Sequence, residues 1–378
     1  MEDFDDIRPY SEAEAKERFL QIADNESFVS AMRQIIPEYS PERLKQDCPK
    51  FNSIYDFQKA TSGRFIDKFI QMSTAGVTRL GLDHIQRNQS YVYIGNHRDI
   101  TFDAALLSDY FFRNDINTVK IAIGDNLISS DILCEVARLN KMVLVKRSVS
   151  MRDKITNYRH LSSYIHQVLF NEHESVWIAQ RDGRTKDGLD ITKQGLVKML
   201  AMDDTVNPLE MLKKINLTPF TVSYEYEPCD QLKARELALS EAGPYHKQPG
   251  EDFNSVMRGI FDFKGRIQIV IGTPIVDEID TIDPQLNQND RIYEVCKMVD
   301  RQIYSNYRLF PNNFIAFDLI DGNDRFIDRY SAEEKEKFID YLNKRAVIED
   351  VPAEKMMHYL LRIYANPVAT CLNVKYNM

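Results

Sequence analysis

Between about residues 76 and 280, short β-rich runs recur with amphipathic helical segments between several of them. No other feature constrains the fold of this chain as tightly. The runs are Val92–Ile94, Val119–Ile123, Met142–Val145, Val176–Ala179, Phe220–Tyr224 and Ile267–Ile271. The clearest helical stretch among them runs from Ser150 to Phe170, where Ile155, Tyr158, Leu161, Ile165, Val168 and Leu169 recur at helical spacing. Strands alternating with helices imply an α/β class, here a mixed, largely parallel sheet flanked by helices. Outside this stretch the pattern is helical. The expected division is an N-terminal helical segment (1–75), an α/β domain (76–280) and a C-terminal helical segment (281–378).

The flanking segments carry ordinary helix signals. Ser11-Glu12-Ala13-Glu14 begins one helix, with Ala15, Phe19, Leu20 and Ile22 roughly on one face. A second run carries Phe28, Val29, Met32 and Ile35-Ile36 ahead of Pro37, and Ser40-Pro41-Glu42-Arg43 opens a third helix with proline in its first turn. Near the other end, Ser331-Ala332-Glu333-Glu334 is a capping box followed by Phe338, Ile339 and Leu342. Pro311 to Asp324 reads as an irregular connection, and Asp182–Asp190 and Ser240–Asp252 read as loops.

Composition excludes several function classes. The formal charge of −9 weighs against a nucleic-acid binder, which presents a basic surface, so any cationic site must be local. Cys48, Cys134, Cys229, Cys296 and Cys371 are scattered with no Cys-x-x-Cys, which points to reduced thiols in a cytoplasmic compartment. The start MEDFDDIRPY lacks the apolar core of a signal peptide, and no run of about 18 apolar residues occurs, so a protein that lies on a membrane without crossing it is expected. No Gly-x-Gly, Walker A or Gly-x-Ser-x-Gly pattern is present. His166 and His173 would sit roughly 10 Å apart along a helix, too far to grip one metal. Neither a metal nor a cofactor is expected.

The chemistry gathers instead around Tyr91–Leu107, YVYIGNHRDITFDAALL. A strand runs into a turn carrying His97, Arg98 and Asp99, and Asp103 follows at the start of an apolar helix. His97 is an imidazole suited to proton transfer near neutrality, and Asp99 or Asp103 would fix its tautomer. Downstream, Lys146-Arg147 ends the run MVLV, and VWIA leads into Gln180-Arg181-Asp182-Gly183-Arg184-Thr185-Lys186-Asp187-Gly188. The carboxyl ends of parallel strands open on one edge, where ligands bind. His97, Arg147, Arg181 and Arg184 are therefore expected on that edge together. Guanidinium forks collected in an acidic chain suit a phosphate.

Four blocks in this order resemble the glycerol-phosphate acyltransferase superfamily, which includes glycerol-3-phosphate and 1-acylglycerol-3-phosphate acyltransferases. They are Asn96-His97-Arg98-Asp99-Ile100-Thr101-Phe102-Asp103, Met142–Arg147, Ile178–Lys186 and Leu217-Thr218-Pro219-Phe220-Thr221-Val222. The helical preface is similar to the soluble glycerol-3-phosphate branch. Two spacings depart from the family: Asp103 stands at His-x5-Asp rather than His-x4-Asp, and Asp182-Gly183-Arg184-Thr185 replaces Glu-Gly-Thr-Arg.

The resemblance implies transfer of a fatty-acyl group from an acyl-CoA or acyl-carrier-protein thioester to a hydroxyl of glycerol 3-phosphate or 1-acylglycerol 3-phosphate, in phospholipid synthesis. His97 is then the general base, with Asp103 preferred over Asp99 as its partner. The substrate-binding set is Arg98, Lys146, Arg147, Arg181, Arg184 and Lys186, with backbone near Gly183 available for the thioester oxyanion. Implied partners are the acyl donor, a phosphate-bearing lipid precursor and the cytoplasmic face of a membrane, with no nucleic acid. Two rivals remain open: a thioesterase using the same base on water, and a non-catalytic lipid or acyl-carrier binding protein on this fold.

Overall fold

The computed structural model describes residues 3–35, 41–128, 130–147 and 151–376; Ile36, Pro37, Ser40 and Ser150, which the sequence places in or beside helices, lie outside them. Among the described residues seven strands form one sheet: β1 (Val77–Leu80), β2 (Val92–Gly95), β3 (Lys120–Gly124), β4 (Met142–Val145), β5 (Val176–Ala179), β6 (Leu217–Tyr224) and β7 (Ile267–Ile271). Their order across the sheet is β1-β7-β6-β2-β5-β3-β4. β2 pairs in parallel with β5 and β6, β3 with β4 and β5, and β1 with β7. Only β6 and β7 pair antiparallel, so the sheet is mixed and mostly parallel, with helical segments before and after it.

Every residue of β2 and β6 is buried, as strands covered on both faces must be. Alternate side chains enter two different cores. Val92, Ile94, Ile178 and Leu217 pack beneath the helices Met151–Phe170 and Gln288–Asn306. Tyr93, Trp177, Phe220, Val222 and Tyr224 pack on the other face, beneath the helix Phe102–Phe112. At one edge Leu144 N–H donates to the Ile7 carbonyl at 3.0 Å, so the N-terminal stretch covers the outer strand β4. Among the described residues no helix is long and apolar enough to cross a membrane.

Two expectations are corrected. β1 was not foreseen, since Val-Thr-Arg-Leu is too short to show a period. The stretch from Pro311 is not irregular: Pro311–Asp321 is a helix with proline in its first turn and Asn313 Oδ1 accepting the Phe310 N–H at 2.8 Å. It packs on the long helix Ala353–Tyr376, which in turn braces the cationic loop: Asn366 Nδ2–H donates to the Asp187 carbonyl at 2.6 Å.

One partly buried carboxyl in this framework has a pH-dependent cost. Asp300 accepts from Thr192 N–H and Oγ1–H, yet burial pushes its carboxyl from the ordinary 3.8 up to about 6. Between those values the unfolded chain releases a proton that the folded chain keeps, so stability falls as pH rises through that window. Asp300→Asn retains the acceptor oxygen and removes the charge. Its melting temperature should match or trail wild type at pH 4 and exceed it at pH 7.5; a pH-independent difference between the two proteins would contradict this.

Candidate active site

His97 sits in the turn that follows β2, near the middle of the sheet. Asn96 fixes that turn: its Nδ2–H donates to the Val222 carbonyl at 3.0 Å and its Oδ1 accepts the Val222 N–H at 2.8 Å. His97 Nδ1–H donates to Asp103 Oδ2 at 2.9 Å. The same carboxyl oxygen accepts the backbone N–H groups of Arg98 and Asp99, at 2.7 and 2.9 Å, and Tyr224 O–H donates to Oδ1 at 2.8 Å. Burial, with Asp103 alongside, pushes the Tyr224 hydroxyl well above its ordinary range, so it remains a donor. Asp103 is fully buried and held from four directions. The proton therefore belongs on Nδ1, and Nε2, which bonds to no described residue, presents its lone pair. Asp99 turns away from the imidazole. Its Oδ1 accepts the N–H groups of Thr101 and Phe102, both at 2.8 Å, and so caps the Phe102 helix.

Arg98 is not on the open side of the turn, contrary to its expected place in the substrate-binding set. Its guanidinium is wholly buried, bonded to Asp190 Oδ2 at 2.6 Å and Glu227 Oε2 at 3.0 Å, and donates to the Gly188 carbonyl at 3.2 Å. Lys233 Nζ completes the cluster by donating to the Arg98 carbonyl and to Glu227 Oε1. Two carboxylates saturate this guanidinium from below, which explains why it faces inward.

The remaining cations divide by strand. The loop after β5 is tied to the catalytic turn, since Thr185 N–H donates to the His97 carbonyl at 2.7 Å. This brings Arg184 and Lys186 beside His97. Gly183 takes φ +71 there, a backbone conformation that glycine adopts without strain. Lys186 pairs with Glu236, but burial and the nearby Lys247, Arg184, Lys233 and Arg181 push its ammonium down to about 8. Arg181 Nε and Arg184 Nη1 are buried with no hydrogen-bond partner. Arg147 and Lys146 are placed elsewhere. They follow β4, three strands from β2, or about 14 Å at the usual strand spacing. Lys146 pairs with Asp6, and Arg147 is exposed, its guanidinium lying against Gly124.

Beside the turn that carries His97 an apolar groove of about 320 Å³ opens between Ile100, Phe102 and Ala105 of the turn and its helix, Phe65 and Phe69 of the helix Ser62–Ser73, and Val256 of the helix Glu251–Phe261. The Glu251 helix lies directly on the turn. A Cβ at Gly259 would come within 2.3 Å of Asp99 Oδ2, so only glycine allows this approach. The site thus has one imidazole, an apolar groove and a cationic loop, suited to bringing an acyl chain and an anionic group to a single base. Among the described residues no three His, Cys, Asp or Glu side chains are grouped as metal ligands. The thiols Cys48 and Cys296 are pushed up to about 12 by burial, and Cys229 is raised for the same reason, so they pack rather than react.

Sequence alone does not single out Tyr224, Asp190, Glu227 or Lys233. Tyr224 carries the nearest to a signal, because Phe220, Val222 and Tyr224 alternate onto the face that meets the Phe102 helix. Trp177, the only tryptophan, packs edge-on to His97 with ring centroids 5.9 Å apart, and its strand position shows no sign of this in advance.

Residues 76–212 match the family model described as Acyltransferase. The solved structure of the 1-acyl-sn-glycerophosphate acyltransferase PlsC from Thermotoga maritima is similar at 14% identity and a TM-score of 0.36, covering 75% of this chain and 95% of that one. A likeness at that level adds nothing to the reading of the site. No curated protein matches the chain.

Proposed function

We propose that this chain, whose residues 76–212 match the acyltransferase family model, moves a fatty-acyl group from a thioester of CoA or acyl-carrier protein to the hydroxyl of a glycerol-phosphate acceptor. The observation that carries this reading is His97, its Nδ1 committed to the buried Asp103 at 2.9 Å and its Nε2 free. Nε2 takes the acceptor's hydroxyl proton as the oxygen attacks the thioester carbon. Asp103 stabilises the imidazolium, and the departing thiolate then receives that proton. No acyl-enzyme is needed. The apolar groove seats the acyl chain, and Arg181, Arg184 and Lys186 hold the acceptor's phosphate, so orientation contributes several kcal/mol to the rate.

The same reading treats 1–75 and 281–378 as helical supports of a catalytic unit at 76–280. It also has the protein act at the cytoplasmic face of a membrane as a peripheral enzyme.

Arg184 provides the test. Arg184→Ala should raise the acceptor's KM about tenfold to a hundredfold, the equivalent of a lost charge-assisted hydrogen bond, and leave the donor's KM nearly alone. Lysine at this position should restore only part, because a point charge cannot reproduce the fork. Two saturation curves on one variant decide it; unchanged constants for both substrates would remove the phosphate clamp.

A further inference from the structure

The helix Glu251–Phe261 stands with its two faces reversed. At 3.6 residues per turn Phe253, Met257 and Phe261 share one face, and Ser255 and Gly259 lie on the opposite one. The small residues are the buried ones: Gly259 is set against Asp99, and the Ser255 carbonyl accepts from the Cys229 thiol at 3.3 Å. The phenylalanines are turned outward, Phe253 66% exposed and Phe261 44%. Phe263, two residues past the helix, is 54% exposed. Met72 is equally exposed in the last turn of the helix Ser62–Ser73, whose Ser73 carbonyl accepts the Lys264 N–H at 2.8 Å. A surface helix of a globular protein turns its apolar stripe to the core. An apolar face turned the other way marks a contact with something apolar.

Three features identify what covers it. The apolar strip is continuous with the groove, because Phe261 packs edge-on to Phe69 with ring centroids 6.2 Å apart, and Phe69 and Val256 line the groove. The carboxylates of the helix and its end are occupied: Glu251 by Tyr245 and Arg235, Asp252 by Lys247 and Asn126, and Asp262 by Arg258 and Arg345. A second copy of the chain fits poorly. A helix of 11 residues is about 16 Å long and about 10 Å across, far short of the roughly 800 Å² per partner that a stable protein interface buries.

We infer that this face is where the protein meets a lipid bilayer, the helix lying along the surface with Phe253, Phe261 and Phe263 at the boundary between headgroups and acyl chains. The groove then opens beside the bilayer, and an acyl chain passes from one to the other without crossing water. The inference deepens the peripheral reading above, which names no face, and it rests mainly on residues beyond the matched segment 76–212.

Sedimentation of the whole protein with vesicles of phosphatidylcholine, with and without phosphatidylglycerol, tests it. Wild type should sediment with both, since the face is apolar. Phe253→Ser should weaken the partitioning about tenfold, and the pair Phe253→Ser and Phe263→Ser about a hundredfold, whereas Phe253→Trp should retain it. Phe253 is largely exposed, so Phe253→Ser should melt with wild type, which guards against misfolding. It should also turn over a water-soluble acyl-CoA with glycerol 3-phosphate at the wild-type rate. The inference is overturned if wild type does not sediment with vesicles, if the double variant sediments as wild type does, or if wild type is a dimer that Phe253→Ser dissociates. Sedimentation requires no acyl transfer. A protein that binds vesicles through Phe253 but moves no acyl group would contradict the enzymatic reading and leave this face standing.

Discussion

His97→Ala should lower kcat by about 10²–10⁴-fold while the donor's affinity stays nearly constant, because the imidazole acts on a proton that moves only in the transition state. Asp103→Asn should follow the same pattern with a smaller loss, since it leaves the geometry and removes the charge that stabilises the imidazolium. Asp99→Asn should leave rate and stability close to wild type, since asparagine's Oδ1 can still accept the Thr101 and Phe102 N–H groups. A rate for His97→Ala equal to wild type would sink the mechanism. A larger catalytic loss for Asp99→Asn than for Asp103→Asn would mean that the wrong carboxylate supports the base.

The second large effect is on folding. Arg98→Ala leaves Asp190 and Glu227 as buried carboxylates without their guanidinium, a change of roughly 3–5 kcal/mol in mutants that break buried ion pairs. Urea unfolding should show this as a lowered midpoint with little change in slope. Lysine should rescue only in part, because both carboxylates and the Gly188 carbonyl are read by one planar fork. Loss of catalysis with wild-type stability would instead place Arg98 in the open site.

The sheet was legible because most of its strands are continuous apolar runs between amphipathic helices, a pattern that local sequence carries by itself. β1 was not, since four residues on an edge show no period. The helix from Pro311 hid behind its proline, although Pro at the first helical position is a start signal. At the site, the pairing of His97 with Asp103 could be weighed because both lie on one turn and the helix it begins. The inward direction of Arg98 could not. Its partners, Asp190 and Glu227, stand about 90 and 130 residues away, and only the fold brings them beneath the turn. Distance in the sheet decided the cations as well. Arg147 and Arg184 look alike in sequence, each after a strand, but β5 adjoins β2 whereas β4 lies at the far edge.

The most direct measurement is thioester turnover by the purified protein, followed as thiol release and as acylated product, with and without a glycerol-phosphate acceptor. The account predicts that thiol release depends on the acceptor, that acylated acceptor forms in equal amount, and that unphosphorylated glycerol does not substitute. Thiol release at the same rate without acceptor, with free fatty acid as the product, would contradict it and identify a thioesterase.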